Sequence, residues 1–319
     1  MIKTVASVAL PVDEVLNIRK MRIEPEGADC GKRICIVTGT HGDELEGQYV
    51  CYEVQRRIAE HRELLTGTVD IYPALNPLGV DSMTRGIPAF DLDMNRIFPG
   101  SRSGTMTEYV ASEICSDLDG ADVCLDIHAS NIFLTEMPQA RININTSRKL
   151  VPMAKLLNLD FIWVHAASTV LESTLAHTMN SRGVPTIVVE MGVGMRITKE
   201  YGDRLTDGIF HLMHSMGIWQ GETSVSAKPI ISEDGKVSFL NAPHSGIFVK
   251  GALHGTRVKP GDPIGEIVSP LTGECLDHIV SPVNGLLFTI REYPVVDEGS
   301  LVARILELDE AANAVRHSK

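Results

Sequence analysis

The first two thirds of the chain alternate between short apolar runs and longer stretches in which apolar positions recur every three or four residues. The short runs are typical of buried strands and cover residues 34–37, 69–74, 123–128, 161–164 and 184–190. The longer stretches are typical of helices and cover residues 44–65, 107–118, 147–157, 173–182 and 201–216. This alternation predicts an α/β domain over residues 1–222, in which helices sandwich a mostly parallel sheet.

The pattern changes beyond Trp219. Residues 221–228 are linker-like, and the residues after them carry glycines, prolines and short runs rich in valine and isoleucine, which predicts a smaller all-β domain over residues 228–319. A weak internal repeat, in which residues 242–248 are echoed by residues 281–288, resembles the barrel-sandwich fold of biotinyl and lipoyl carriers. We therefore expect a barrel-sandwich-like C-terminal domain.

A carrier domain needs an acceptor lysine at the hairpin between its two halves. The corresponding hairpin here, residues 269–277, contains no lysine, so an attached cofactor is not expected. The histidines of this domain have no histidine or carboxylate at metal-binding spacing, and they are interpreted as surface or packing residues: His244, His254 and His278. The sequence therefore predicts no second metal site in this domain.

A glycine-rich segment at residues 39–47 follows the first apolar run and contains His41 and Glu44. Catalytic zinc usually takes three ligands from histidine and carboxylate side chains. We expect the histidine in a loop and the glutamate in the first helical turn, both facing the carboxyl edge of the sheet, where open α/β sheets keep their active sites. The alternative is a chance pairing, because His-x-x-Glu is a weak motif in a chain with 11 histidines.

A third ligand should come from another strand end, and His128 closes the apolar run 123–128. Asp126 stands two residues earlier, on the same face of an extended chain, where its carboxylate could accept a hydrogen bond from an imidazole. The alternative is a strand-end histidine whose ring bonds to backbone carbonyls. The presence of the first motif favours ligation.

Glu190 ends the strongly apolar run 184–190, which is an unusual place for a charge. A partly desolvated carboxylate there could act as a general base toward a zinc-bound water. A structural ion pair is the alternative interpretation.

Residues 85–100 contain two arginines that could bind a substrate. Arg96 could bind an anionic substrate group with Asn95 donating beside it, and Arg85 could stabilise a developing oxyanion. Exposed loop arginines paired with Asp91 or Asp93 would give the same sequence pattern.

In their order along the chain, 39–47, 85–100, 123–128 and 184–190, these four motifs resemble the succinylglutamate desuccinylase and aspartoacylase family, a branch of the zinc carboxypeptidase-like hydrolases, over most of the chain. The resemblance implies one Zn2+ per chain, with the ligands His41, Glu44 and His128. It also implies a substrate site with the residues Asn95 and Arg96, and catalytic roles for Glu190 as general base and Arg85 at the oxyanion. The family's gating tyrosine or second arginine has no unambiguous counterpart among Arg182, Arg196, Tyr201 and Tyr293.

The function implied is that of a zinc-dependent amidohydrolase that removes an acetyl or succinyl group from an N-acyl amino acid. The two-domain build with a carrier-like tail favours the branch of the N-acetyl-diaminobutyrate deacetylases. Two other classes stay open: a zinc carboxypeptidase that acts on peptides, and a non-catalytic metal-binding or carrier-type protein.

Composition agrees with an enzyme that acts on small molecules. The formal net charge of −12 argues against a nucleic-acid or acidic membrane surface. No apolar segment approaches the ~20 residues that cross a bilayer, so we expect a cytoplasmic protein. The six cysteines are scattered without a Cys-x-x-Cys pair and are interpreted as reduced, mostly buried packing residues. The resemblance allows a homo-oligomer, for which the sequence offers no independent support.

Overall fold

The computed structural model describes residues 1–88, 90–165, 172–233 and 235–308. The chain forms two compact units, of which the first contains Met1–Ala129 and Pro138–Glu233. The second contains Ser130–Met137 and the described residues of Asp234–Lys319. The predicted domains, 1–222 and 228–319, leave residues 130–137 in the first domain, and the last predicted residues, 309–319, lie outside the described ones. The predicted domain boundary stays a prediction.

The first unit is built on one mixed sheet. Its strands are β1 (Ile2–Ala9), β2 (Val15–Ile23), β3 (Arg33–Val37), β4 (Thr68–Tyr72), β5 (Val123–His128), part of β6 (Leu134–Asn143), β7 (Phe161–His165), β8 (Thr186–Gly192) and β9 (Ile230–Glu233). They lie in the order β1-β2-β4-β3-β5-β8-β6-β7-β9. Strands β4, β3, β5 and β8 are mutually parallel neighbours, as are β6, β7 and β9, whereas β1 and β2 are antiparallel additions at one edge.

Helices cover both faces of this sheet. They are α1 (Glu46–Glu60), α2 (Pro77–Ser82), α3 (Met106–Leu118), α4 (Ser147–Ala154), α5 (Leu175–Ser181) and α6 (Lys199–Ser215). Ile34 and Ile36 of β3 pack in a core with α1, α4 and α6, and Cys35 and Val37 of the same strand pack in a second core with α3 and α5. Burial on both faces explains why β3 is a continuous apolar run. The predicted helix-sandwiched, mostly parallel sheet is confirmed.

Three strands, β1, β2 and β6, were not predicted. The hairpin of β1 and β2 has alternating exposed and buried positions, and it lies at the edge of the sheet rather than in its centre. Strand β6 carries polar residues and Pro138, although nearly all of its residues are buried. Periodicity identifies strands by apolar content and therefore passes over both cases. Among the described residues, no helix is long and apolar enough to span a membrane.

A buried carboxylate, Asp70 on β4, holds three cationic side chains of the sheet. Its oxygens accept hydrogen bonds from Arg22 at 2.8 and 2.6 Å, from Lys20 at 3.1 Å and from Arg33 at 3.2 Å. Burial by itself raises the pKa of Asp70, but the hydrogen bond from Arg22 and the charge of Lys20 outweigh it and lower the pKa below its ordinary value. Asp70 is therefore ionised at neutral pH.

The second unit consists of antiparallel strands: β10 (Val237–Asn241), β11 (Gly246–Lys250), β12 (Thr256–Val258), β13 (Pro263–Val268), β14 (Cys275–Val280), β15 (Gly285–Arg291), β16 (Val295–Val296) and β17 (Leu301–Glu307). One sheet has the order β14-β13-β11-β16, and β15 pairs with β12, with β17 and with the first residues of β6. Phe248 of β11 and Ile267 of β13 share a hydrophobic core with Leu287 of β15 and Ile305 of β17. The predicted all-β C-terminal region is confirmed.

Candidate active site

The strand ends of β3 and β5 bring the three predicted metal ligands together. His41 lies in the loop after β3, and His128 is the last residue of β5, its parallel neighbour, in which Asp126 is paired with Val37. Glu44 lies in the turn before α1, which begins only at Glu46, so the prediction that Glu44 belongs to the first helical turn was wrong. The loop places the glutamate at the carboxyl edge of the sheet all the same.

The Glu44 carboxylate lies between the two imidazoles. His41 Nδ1 is 2.8 Å from Oε1, and His128 Nδ1 is 2.9 Å from Oε2. All three side chains are at least 95% buried. The candidate ligand atoms lie within 4.8 Å of one another. The trio is thus a compact, buried cluster of two nitrogen ligands and one carboxylate.

A further carboxylate lies behind each imidazole. His41 Nε2 is 3.0 Å from Asp93 Oδ1, and His128 Nε2 is 3.1 Å from Asp126 Oδ1. A carboxylate at one ring nitrogen favours a proton there, which leaves the lone pair on the other nitrogen. The two Nδ1 atoms hydrogen-bond to Glu44 through protons, and loss of those protons would leave both lone pairs on the side of Glu44, where a metal ion could bind.

Two carboxylates of this cluster, those of Glu44 and Asp93, have lowered pKa values. Burial alone would raise the pKa of Glu44, but hydrogen bonds with His128 and His41 outweigh it and hold the pKa below its ordinary value. The pKa of Asp93 is also lowered, because the hydrogen bond with His41 and the charge of Arg85 outweigh the effect of burial. Both carboxylates are ionised, so the cluster favours a cation.

The donor set fits zinc. Two histidines and one glutamate are a common ligand set of catalytic zinc, which leaves a fourth position open. Asp126 is fully buried, and within the described residues neither of its oxygens has a hydrogen-bond partner with good geometry. A buried charge in this condition is costly unless positive charge is near. A cation bound to the neighbouring imidazole would supply that charge.

Arg85 reaches the same cluster. Its Nη1 donates to Glu44 Oε1 at 2.9 Å, and its Nη2 is 3.5 Å from Asp93 Oδ2, while 41% of its side chain remains exposed. The backbone N–H of Gly42 donates to the Arg85 carbonyl at 3.3 Å. A Cβ at Gly42 would lie 1.9 Å from the carbonyl carbon of Gly79, so the two loops touch backbone to backbone. Glycine permits this approach, which places the arginine beside the trio.

Asn95 and Arg96 lie in a single 3₁₀ turn, Met94–Arg96, whose first N–H groups are capped by Asp93. The Asn95 side-chain oxygen accepts from the backbone N–H of Leu175 at 2.9 Å, so the amide NH2 is the end of this side chain that can donate to a substrate. Arg96 is 43% exposed and lies 3.9 Å from Asp93. Its Nη1 donates to the Asn95 carbonyl at 2.7 Å, and the exposed part of the guanidinium is accessible to an anion.

From the sequence, Asp93 was expected only as a possible partner for a loop arginine. The structure places its carboxylate between His41, Arg85 and Arg96. Its position two residues before Asn95 is a known capping pattern, in which an aspartate accepts from the backbone two residues on. That signal predicts the cap, but the contact with His41 comes from the fold.

Glu190 lies beside His128, because the two residues are paired in register on the parallel strands β8 and β5. It is not the last residue of its strand, as predicted, since β8 continues to Gly192. Its Oε1 is 3.1 Å from Nη1 of Arg141 on β6, so the ion pair that the sequence left as an alternative is present. Arg141 also lines a cavity of about 260 Å³ together with Asn143, His177, Asn180 and Val188. Arg141 was not among the predicted site residues, because β6 itself was not predicted.

Residues 30–216 match the family model described as the succinylglutamate desuccinylase/aspartoacylase catalytic domain. The chain belongs to this family. The match covers more than half of the 319 residues and includes every residue that sequence analysis placed in the site. The names of the family and of the relatives are those of deacylases, so this desuccinylase/aspartoacylase family member is a deacylase-type hydrolase.

Several relatives of the desuccinylase/aspartoacylase family match nearly the whole chain. The N-alpha-acetyl-L-2,4-diaminobutyric acid deacetylase of Halomonas elongata is 25% identical over 297 residues, which are 88% of this chain and 84% of the relative. A succinylglutamate desuccinylase from Silicibacter sp. TM1040 has a TM-score of 0.79 at 25% identity, with 92% of this chain and 90% of that chain covered. The product-bound ectoine utilization protein of Ruegeria pomeroyi has the same fold, with a TM-score of 0.78 at 23% identity and the same coverage, 92% and 90%. The predicted resemblance to the family and to its acetyl-diaminobutyrate deacetylase branch is confirmed.

Proposed function

We propose that the protein is a zinc-dependent amidohydrolase that removes the acyl group of an N-acyl amino acid. The observation that carries the proposal is the meeting of two imidazole Nδ1 atoms on the ionised, buried carboxylate of Glu44, next to Glu190 on the adjoining strand. Membership of a deacylase family supports the reaction class.

The ligands of the zinc ion in this proposal are His41, Glu44 and His128. A zinc ion bound there polarises a carbonyl oxygen and lowers the pKa of a water molecule to about 7. Asp93 and Asp126 orient the two imidazoles from behind.

The other side chains handle the proton and the substrate. Glu190 takes the proton of the attacking water on its carboxylate and then gives it to the departing amine nitrogen. Arg85 donates to the carbonyl oxygen as negative charge develops on it. Arg96 and the amide NH2 of Asn95 bind the substrate's carboxylate and fix the position of its amide bond. The products are a carboxylic acid and a free amino acid.

We propose Nα-acetyl-2,4-diaminobutyrate as the first substrate to test. The relative of Halomonas elongata is named for this deacetylation and matches most of both chains. The structural relative from Silicibacter is named for succinylglutamate, which makes the N-succinyl amino acids the second class to test.

The test measures zinc content and acid release from a panel of N-acetyl and N-succinyl amino acids, with and without a chelator. We expect chelator-sensitive release from one panel member, and the loss of one zinc equivalent and of all release in His128→Ala. Release of C-terminal residues from peptides without deacylation would identify a carboxypeptidase. A Glu190→Gln variant that keeps zinc and full turnover would refute the general-base role.

A further inference from the structure

A second group of metal-ligating side chains lies on the four-stranded sheet of the second unit. It consists of Glu266 on β13 and of Cys275 and His278 on β14, whose candidate ligand atoms lie within 4.8 Å of one another. His278 Nδ1 is 3.2 Å from Glu266 Oε1, and Cys275 Sγ is 3.7 Å from His278 Nε2. All three residues are exposed to solvent. The group thus contains one nitrogen, one sulfur and one oxygen ligand.

A β-bulge brings these residues to one face of the sheet. Glu266 and His278 are directly opposite each other in the antiparallel pair of β13 and β14. Cys275 and His278 are three positions apart, so in a regular strand they would point to opposite faces. The register shifts at this point, because Asp277 pairs with Ile267 and Cys275 pairs with Val268, which leaves Leu276 as an extra residue. Cys275 therefore shares the face of His278 and Glu266.

We propose that Glu266, Cys275 and His278 form a second metal site, which binds Zn2+ or a similar borderline divalent cation. Thiolate, imidazole and carboxylate are all ligands of zinc, and three protein ligands leave one position for water or for a ligand from outside. Binding releases the thiol proton of Cys275 to solvent. The proposal departs from the expectation of one ion per chain, because His278 obtains its carboxylate from the neighbouring strand and not from its own segment.

The proposed second site differs from the first one because it contains a sulfur ligand, Cys275. The trio His41, Glu44 and His128 contains no thiol, so any thiolate ligation of a bound metal must come from elsewhere. Among the six cysteines, all of which the structure describes, Cys30 and Cys275 are exposed and the other four are buried. Cys30 therefore provides a matched control for Cys275.

The test loads the metal-free, full-length protein with Co2+ and records the thiolate-to-cobalt charge-transfer absorption. We expect this band, together with two bound cobalt ions per chain, in the wild type and in Cys30→Ser. Cys275→Ser should bind one ion and lose the band, and Glu266→Gln should need a severalfold higher Co2+ concentration to reach it. Zn2+ should slow the reaction of Cys275 with dithionitrobenzoate and leave that of Cys30 unchanged.

The absence of the band in the wild type, with two exposed thiols that react equally fast with and without Zn2+, would overturn the second site. The band is measured independently of deacylation, so the test of the second metal site remains valid even if the proposed deacylase function is refuted. Conversely, Cys275→Ser should retain full acid release if the proposed function is correct, because Cys275 is not one of the residues assigned to the reaction.

Discussion

The guanidinium of Arg141 lies 3.1 Å from the carboxylate of Glu190. The arginine comes from β6 and also lies over the ring of Trp163, 5.8 Å from its centroid. A guanidinium held in this way fixes the direction of a carboxylate more strictly than a solvated cation does. Arg141 is therefore expected to act on the reaction through Glu190, as a positioning residue.

We predict that Arg141→Leu lowers kcat about tenfold or more without loss of zinc, because Glu190 then has more orientations to occupy. Glu190→Gln should lower kcat by about 10²–10⁴-fold, the usual contribution of a general base. Arg141→Lys should recover part of the loss, whereas Arg148→Leu, at an exposed position of α4, should behave like the wild type. An increase in KM alone would show that Arg141 contacts the substrate instead.

Asp126→Asn should weaken zinc binding by about 10–100-fold, as is usual when the partner of a ligating histidine is lost. The physical reason is that the asparagine amide lacks the negative charge that balances a cation bound to His128. The amide also no longer favours a proton on His128 Nε2. Competition with a chromophoric chelator measures the affinity, and Asp81→Asn, at an exposed position, is the control. Equal zinc affinity in the wild type and Asp126→Asn would contradict this role.

Arg96→Ala should keep zinc and lose about 1.5–3 kcal/mol in kcat/KM, mainly through KM, because a charged hydrogen bond to the substrate is removed. The loss should vanish for a substrate whose carboxylate is replaced by a carboxamide, since that group carries no charge for the arginine. Loss of zinc in the variant would refute the assignment of Arg96 to the carboxylate. An equal loss in kcat/KM for the carboxylate and the carboxamide substrate would refute it as well.

Asp70→Asn should lower the free energy of unfolding by about 3–5 kcal/mol at pH 7, because it leaves Lys20, Arg22 and Arg33 without their buried partner. The folded-state pKa of Asp70 lies below its ordinary value of 3.8. Its stabilisation is therefore complete above that value and is lost as the pH falls through the lower folded-state value.

The two proteins should accordingly converge in stability as the pH is lowered below 3.8. Urea unfolding of the wild type, Asp70→Asn and the exposed control Asp81→Asn over this range measures the effect. A difference that stays constant with pH would show that the charge of Asp70 is not its cause.

Much of the first unit follows from periodicity alone. The predicted run 123–128 is β5 to the residue, and the helix predicted at 107–118 differs from α3 by one residue at its start. These elements are buried on one or both faces, so apolar spacing defines them well. The hairpin of β1 and β2 and the polar strand β6 are held by their neighbours in the sheet and carry little signal of their own.

The candidate site likewise contains some residues that the sequence predicts and others that it does not. His41, Glu44 and His128 were predicted because short motifs at strand ends identify them, and the fold brings all three together. The contacts of Asp93 with His41 and of Arg141 with Glu190 join segments that are far apart in the chain, so no local sequence spacing predicts them. The bulge that aligns Cys275 with His278 depends on the pairing of two strands, which a single segment does not specify.

The backbone contact between Gly42 and Gly79 limits how this enzyme can be diversified. A side chain at Gly42 would meet backbone atoms of Gly79, and one at Gly79 would lie 2.2 Å from the side chain of Asn76. Randomised libraries at these two positions should thus return glycine almost exclusively under selection for activity. The more exposed Arg96 turn is the better place to alter substrate preference, provided that Asp93, which caps this turn and contacts His41, is kept.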